Sequence, residues 1–132
     1  MPPTILIVED NDLVRESLFV WLSIAFPLCR FEQAASGEQA VSVALRNSFD
    51  LVLMDLGLPN MNGIEATRNI KASAPQTHVV LLSIQEDPQY VKDALQAVAA
   101  AFVSKRKMHT ELIPLVSGLL AAPAAADSSV QR

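Results

Sequence analysis

The most informative segment of this chain is Leu51-Val52-Leu53-Met54-Asp55-Leu56-Gly57-Leu58-Pro59. Four apolar residues run together before the first charge, which is typical of a strand buried on both faces of a parallel sheet. The run ends on Asp55, and in open parallel sheets the loops after the carboxyl ends of the strands form the ligand crevice. Asp55 is therefore predicted to lie at the rim of a site, with a turn or helix-cap role as the alternative.

The composition predicts one domain with a sizeable core. The chain has 132 residues, of which 51% are hydrophobic. Cys29 is the only cysteine, so no intrachain disulfide is possible, and we expect a buried thiol in a reducing cytoplasm. The net charge of -4, with one short basic run at 105–107, argues against direct nucleic-acid binding. We expect neither a signal peptide nor a membrane span.

Strand and helix patterns alternate along the chain. Strands are predicted at 4–8, 29–35, 51–55, 78–82 and 101–104, and the alternating pattern of the second suits an edge position. A helix pattern follows each strand, and the last is expected over 111–120, where Pro114 is comfortable only in the first turn. The inward faces of the second and fourth helices are predicted to include Val41, Ala44, Leu45, Val91, Ala94, Leu95 and Val98.

Right-handed crossovers and short connections favour a doubly wound, five-stranded parallel sheet in the order 2-1-3-4-5, flanked by five helices. In this order the first and third strands are neighbours, so Glu9 and Asp10 should converge with Asp55. The fourth and fifth strands should bring Ser83 and Lys105 to the same rim.

Three carboxylates at one rim would repel one another, and without compensation at least one pKa would rise. Mg²⁺ resolves the conflict, because it prefers oxygen ligands and is usually completed by a phosphate oxygen. The point charge of Lys105 suits a phosphoryl group, and the Ser83 hydroxyl can donate to one of its oxygens. Asp55 can then act as a nucleophile that forms an acyl phosphate. Together these residues predict a phosphorylation site.

Over about residues 4–120 the chain resembles the receiver domain of two-component response regulators, a chemotaxis-type, flavodoxin-like domain. The matched residues are Glu9, Asp10, Asp55, Pro59, Gly63, Ser83, Phe102 and Lys105. The resemblance implies that Asp55 accepts a phosphoryl group from a sensor histidine kinase or a phosphotransfer protein. It also implies a regulatory domain, not an enzyme, that promotes its own phosphoryl transfer and dephosphorylation.

The resemblance further implies a ligand set for Mg²⁺. Asp10, Asp55 and the backbone carbonyl of Gly57 would bind the ion directly, and Glu9 would act through water.

A switch and a signalling surface are also implied. Ser83 and Phe102 would form the switch and change the surface made by the fourth helix, the fifth strand and the fifth helix. That surface would mediate homodimer formation or docking of an output domain, with Tyr90 and Val103 as contacts.

Two features depart from the family pattern. Arg106 stands where the family usually has a proline with a cis bond, and a cis bond to a non-proline costs about 3 kcal/mol. The Lys105–Arg106 bond is therefore either trans or strained. Val98 and Ala101 stand where glycines are usual, so the fourth helix should end differently here.

Other functions stay open at this point. One is a receiver-like interaction module that is never phosphorylated. A dehalogenase-like phosphatase would need a second aspartate where this chain has Gly57, and an FMN carrier would need a phosphate-binding loop where Glu9 to Asp12 would repel phosphate. We expect a receiver at 1–120 and a flexible tail or linker at 121–132. The chain is then a stand-alone receiver or the amino-terminal part of a transcriptional regulator.

Overall fold

The computed structural model describes residues 2–96 and 99–121, and within them it has one parallel sheet in the order β2-β1-β3-β4-β5. The strands are β1 (Thr4–Val8), β2 (Arg30–Ala34), β3 (Leu51–Asp55), β4 (His78–Ser83) and β5 (Ala101–Ser104). The helices are α1 (Asp12–Ala25), α2 (Gly37–Arg46), α3 (Gly63–Ser73), α4 (Pro88–Leu95) and α5 (Met108–Ala121). This is the predicted doubly wound fold. None of the helices within these ranges has the length and apolar character needed to cross a membrane.

Two hydrophobic cores lie on opposite faces of the sheet. Alternate strand side chains, such as Leu53 and Met54 in β3, enter different cores, which explains why the buried strands read as unbroken apolar runs. Helices α2, α3 and α4 cover one core, and α1 and α5 cover the other. The edge strand β2 keeps the predicted alternation, and its Phe31 meets Phe19 of α1 edge to face, with ring centroids 5.9 Å apart.

Side-chain caps start four helices close to the carboxyl edge of the sheet. Asn11, Ser36, Asn62 and Asp87 each accept a hydrogen bond from the backbone N–H three residues further on. Pro88 follows Asp87 at the first helical position, where its missing N–H costs no helical hydrogen bond. Each cap fixes the residue at which the helix begins, and this limits the positions that the preceding loop at the end of the strand can adopt.

The start of α5 differs from the prediction. Residues 105–107 form a 3₁₀ turn, and the side chain of Ser104 caps it by accepting from the N–H of Arg106 at 3.2 Å. The turn leads directly into α5 at Met108, so Pro114 lies inside the helix instead of in its first turn. Burial of Leu112 and Val116 on the same helix offsets the poor helix propensity of proline.

Three predicted inward-facing residues need comment. Leu45 and Leu95 are exposed, because the short helices α2 and α4 place their smaller residues, Ala40 and Ala94, against the sheet. Val98 lies outside the described residues, but α4 ends before it, at Leu95, and Gln96 at the cap position has a right-handed conformation, not the left-handed one that favours glycine.

Gly63 permits the close approach of α3 to the end of β3. A Cβ at this position would run into the backbone carbonyl of Asp55 and would lie 2.9 Å from Leu56 Cα. We predict that Gly63→Ala lowers the free energy of unfolding by about 1–3 kcal/mol, because backbone atoms have to move.

Gly118→Ala in α5 is the matched control. Among the described residues, no atom other than the nearby backbone of α5 itself lies within 4 Å of the added Cβ, so the substitution should stabilise the helix by about 0.5–1 kcal/mol. Urea denaturation of both variants measures the difference. Equal stability of the two variants would show that α3 does not pack closely against the end of β3 at Gly63.

Candidate functional site

Strand register brings the predicted site residues to one edge of the sheet. Val8 pairs with Met54, so Glu9 and Asp55 come next to each other at the ends of β1 and β3. Asp55 pairs with Leu82, which places Ser83 one step beyond it on β4. Ser83 in turn pairs with Ser104, so Lys105 leaves β5 at the same level.

Three carboxylates meet in an open cleft of about 480 Å³ at this edge. One oxygen each of Glu9, Asp10 and Asp55 lies within 4.8 Å of the others. Glu9 and Asp55 are 2% and 4% exposed, whereas Asp10 faces solvent. The convergence predicted from the order of the strands is therefore present in the structure.

The ammonium of Lys105 lies between the two buried carboxylates. Its Nζ is 3.1 Å from Glu9 Oε1 and 3.2 Å from Asp55 Oδ1. Burial alone would lower the pKa of Lys105, but attraction to Asp55 and Glu9 outweighs it and raises the pKa. Burial, together with repulsion from Asp55, raises the pKa of Glu9 despite its hydrogen bonds to Asn11 N–H and Lys105.

The two oxygens of Asp55 have different surroundings. Oδ1 accepts from the N–H of Gly57 at 3.1 Å and also faces Lys105. No donor from residues 2–96 or 99–121 forms a hydrogen bond to Oδ2. One oxygen of this buried carboxylate is thus held in place, and the other retains its lone pairs.

Ser83 lines the cleft, whereas Phe102 packs against the hydrophobic core behind it. The buried Ser83 hydroxyl accepts from the N–H of Gln85 at 2.9 Å. Phe102 is half-buried and packs against the core under α4, as does Tyr90, which also lines the cleft.

Val103 is 3% exposed and packs in the core under α1 and α5. The prediction that it contacts a partner is therefore wrong for this structure. Neighbouring residues of a strand point to opposite faces, so Phe102 faces α4 while Val103 faces α5.

Arg106 has a different role from the proline that the family usually has here. Its bond to Lys105 is trans, since no cis bond occurs in the described residues. Its guanidinium forms two hydrogen bonds to Glu86, at 3.0 and 2.7 Å, and Ser104 Oγ bonds to the same carboxylate. Hydrogen bonds from Arg106 and Ser104 lower the pKa of Glu86 to about 2. This cluster ties the β4–α4 loop to the end of β5, and sequence spacing gave no signal for it.

A second residue missed from the sequence is Arg15 of α1. Its guanidinium donates to the backbone carbonyl of Glu9 and to the side chains of Gln33 and Asp12. Side-chain bonds to a backbone carbonyl leave no pattern in a sequence, so only the structure reveals this contact.

The donor set fits Mg²⁺. All the candidate ligands are oxygens, and two of the three carboxylates are buried while the third opens to solvent, which leaves room for the waters that Mg²⁺ retains. The geometry defines a class of site: a carboxylate cluster suited to a hard cation, at the switch point of a parallel α/β sheet.

Known proteins share this arrangement. A sequence model of the family described as "Response regulator receiver domain" matches residues 5–117. The response regulator GacA of Pseudomonas viridiflava is 34% identical over 112 residues, which cover 85% of this chain and 52% of GacA. A cyclic di-GMP phosphodiesterase of Thermotoga maritima is 36% identical over 113 residues, which cover 85% of this chain and 29% of that protein. This chain therefore spans about half the length of one relative and less than a third of the other.

A solved structure agrees. The receiver domain of the sensor histidine kinase PA1611 from Pseudomonas aeruginosa PAO1, which has a magnesium ion coordinated in its active-site cleft, superposes with a TM-score of 0.82. The two are 27% identical, and the match covers 92% of this chain and 100% of that one. This chain belongs to the response regulator receiver domain family. It is thus a receiver domain of the kind found in two-component systems.

The raised pKa of Glu9 predicts a pH dependence. The folded state binds a proton at Glu9 more readily than the unfolded chain, so wild-type stability falls as pH rises above the ordinary value of 4.5 and through the raised pKa. We expect Glu9→Gln, in metal-free buffer, to become increasingly stable relative to wild type as the pH is raised over that interval. Denaturation at a series of pH values measures this, with Glu16→Gln on α1 as the control for losing one negative charge. If the stability of Glu9→Gln instead falls relative to wild type as the pH rises, the raised pKa of Glu9 is contradicted.

Proposed function

We propose that this chain is a phosphorylation-controlled receiver in which Asp55 accepts a phosphoryl group from the phosphohistidine of a sensor kinase or a phosphotransfer protein. The observation that carries the proposal is the state of the Asp55 carboxylate. It is buried and held at Oδ1 by Gly57 and Lys105, while Oδ2 has no donor from the described residues, and Asp55 lines the cleft. A held carboxylate with one free oxygen is suited to nucleophilic attack.

The transfer forms one bond and breaks one. Asp55 Oδ2 attacks phosphorus, the phosphorus–nitrogen bond of the donor breaks, and its electron pair remains on the imidazole nitrogen. The product is an acyl phosphate on Asp55. The Lys105 ammonium, already within salt-bridge distance, attracts the developing negative charge of the phosphoryl oxygens.

Mg²⁺ is the cofactor that these residues would hold. Asp10, Asp55 and the Gly57 carbonyl would bind the ion directly and Glu9 through water, in keeping with the convergence of the carboxylates and the magnesium ion of the PA1611 receiver. When bound, Mg²⁺ neutralises charge on the phosphoryl oxygens. Lys105 bonds to both Glu9 and Asp55 and so joins the ends of β1 and β3 at this side of the site.

The switch is proposed to run from Ser83 to Phe102. A phosphoryl group adds strong acceptors beside Ser83, whose hydroxyl would turn from the N–H of Gln85 to donate to a phosphoryl oxygen. The half-buried Phe102 ring would then move inward and change the α4–β5–α5 surface. Tyr90 stays a predicted contact for a second copy or an output domain, because it is partly exposed on α4.

We place the receiver at 1–120 and propose that 121–132 is a flexible tail or a linker. Residues 122–132 of that segment lie outside the described residues. Because the proposed phosphoryl donor is a histidine kinase, we propose that the receiver acts in the cytoplasm.

Phosphorylation of Asp55 is tested by mass. Incubation with acetyl phosphate and Mg²⁺ should add the mass of one phosphoryl group to wild type, and Asp55→Asn should abolish it, because an amide is not a nucleophile. Asp93→Asn, on the exposed side of α4, is the control that should behave as wild type. Phosphorylation of Asp55→Asn at the wild-type rate would show that another residue is the acceptor, and an unmodified wild type would favour an interaction module that is not phosphorylated.

Mg²⁺ binding is predicted to depend on Asp10. Loss of a direct carboxylate ligand should weaken binding about tenfold or more in Asp10→Asn, since even outer partners of a metal contribute about 10–100-fold. Stability in metal-free buffer should be unchanged or higher, because repulsion with Asp55 is relieved. Calorimetric titration measures both proteins, with Asp93→Asn on the exposed side of α4 as the control outside the carboxylate cluster. An unchanged affinity in Asp10→Asn would count against this site.

Coupling through Ser83 is tested by NMR. Beryllofluoride with Mg²⁺ should shift amide resonances of wild type around Asp55 and also over 83–96 and 102–107. Ser83→Ala should keep the shifts around Asp55 and suppress the distant ones, because it lacks the hydroxyl that turns. Ser17→Ala, exposed on α1, is the control. If the shifts in wild type are confined to the Asp55 loop, the proposed switch is wrong.

A further inference from the structure

The guanidinium of Arg15 in α1 connects three segments close to the carboxylate cluster. Its Nη1 donates to the backbone carbonyl of Glu9 at 2.8 Å, its Nε to Gln33 Oε1 at 3.3 Å, and its Nη2 to Asp12 Oδ1 at 2.7 Å. The side chain is only 17% exposed, although it belongs to the first turn of a surface helix. It therefore joins the end of β1, the edge strand β2 and the start of α1.

The carbonyl that Arg15 holds belongs to the peptide that joins Glu9 to Asp10. The N–H of Glu9 bonds to Ala34 O at 3.1 Å, and its side chain bonds to Lys105 and to the N–H of Asn11. The side chain of Asp10 has no hydrogen bond to the described residues and faces solvent. The direction of the Asp10 carboxylate is thus set by the peptides on either side of it, and Arg15 fixes the one before it.

We propose that Arg15 is a positioning residue for the divalent cation: by holding the Glu9–Asp10 peptide it places the Asp10 carboxylate beside Asp55. This inference rests on the proposed Mg²⁺ site. A planar guanidinium with several donors in fixed directions is suited to fixing a carbonyl while it also bonds to Gln33 and Asp12. The hydrogen bond from Arg15 Nη2 to Asp12 Oδ1 helps to orient the guanidinium, and the Asp12 carboxylate offsets part of its positive charge near the cation site.

The proposal and simple electrostatics predict opposite changes in Mg²⁺ affinity when Arg15 is replaced by a neutral residue. Removal of a positive charge near a cation site, considered alone, favours binding of a divalent cation. Loss of a positioning contact weakens it, and outer partners of metal ligands contribute about 10–100-fold to affinity. The two effects are therefore distinguished by the direction of the change.

The test measures Mg²⁺ affinity by calorimetry for wild type, Arg15→Gln and Arg15→Lys, with Arg68→Gln on the exposed face of α3 as the charge-matched control. Arg15→Gln should bind Mg²⁺ about tenfold more weakly, and Arg68→Gln should stay within about twofold of wild type. Arg15→Lys, which keeps the charge but loses the fork, should also bind more weakly, and it serves as the test if Arg15→Gln does not fold.

Two further measurements separate positioning from a structural role. The Mg²⁺ concentration that gives half-maximal phosphorylation by acetyl phosphate should rise in Arg15→Gln, while the rate at saturating Mg²⁺ returns to the wild-type value. In NMR titrations the Mg²⁺-induced shift of the Asp10 amide should need more metal. Unchanged or tighter Mg²⁺ binding in a folded Arg15 variant would overturn the proposal. If Asp10→Asn also binds Mg²⁺ normally, the proposed cation site itself fails, whereas a loss confined to Asp10→Asn rejects only the role of Arg15.

Discussion

The site depends on the ammonium of Lys105 between the carboxylates of Glu9 and Asp55. Two buried carboxylates at neighbouring strand ends would otherwise repel each other in a poorly solvated place, and one would take up a proton. Lys105 Nζ lies 3.1 Å from Glu9 Oε1 and 3.2 Å from Asp55 Oδ1, so one ammonium offsets part of the negative charge of both carboxylates. Burial and repulsion from Asp55 still raise the pKa of Glu9, and three carboxylates face the one ammonium of Lys105. The remaining negative charge favours a divalent cation.

This constraint follows from the way the sheet is built. Both faces of β1, β3 and β4 are covered by helices, so their apolar residues fix the strands and leave only the carboxyl ends free for polar residues. The β4–α4 loop and the end of β5 are joined by the Glu86–Arg106 pair in place of the usual proline. Lys105 therefore reaches the carboxylates from a trans peptide that opens the 3₁₀ turn before α5.

The sequence allowed the sheet order and the converging residues to be predicted, because buried parallel strands leave long apolar runs and polar residues mark their ends. It did not allow the face of each residue in short elements to be predicted. Strand β5 has four residues, too few for its period to separate Val103 from Phe102, and the start of α5 was hidden because tertiary packing overrides the local effect of Pro114. Contacts such as that of Arg15 with a backbone carbonyl depend on the folded chain and have no fixed spacing.

The most direct test of this account is the stability of Lys105→Met as a function of Mg²⁺ concentration. In metal-free buffer the variant should unfold with a free energy on the order of 1–3 kcal/mol below wild type, because two buried carboxylates lose their partner. Added Mg²⁺ should stabilise the variant more than wild type, since the ion takes over the compensation of charge, and the difference should shrink toward saturation. A difference that stays constant at all Mg²⁺ concentrations, or that widens, would contradict the claim that Lys105 and the cation balance the same carboxylates.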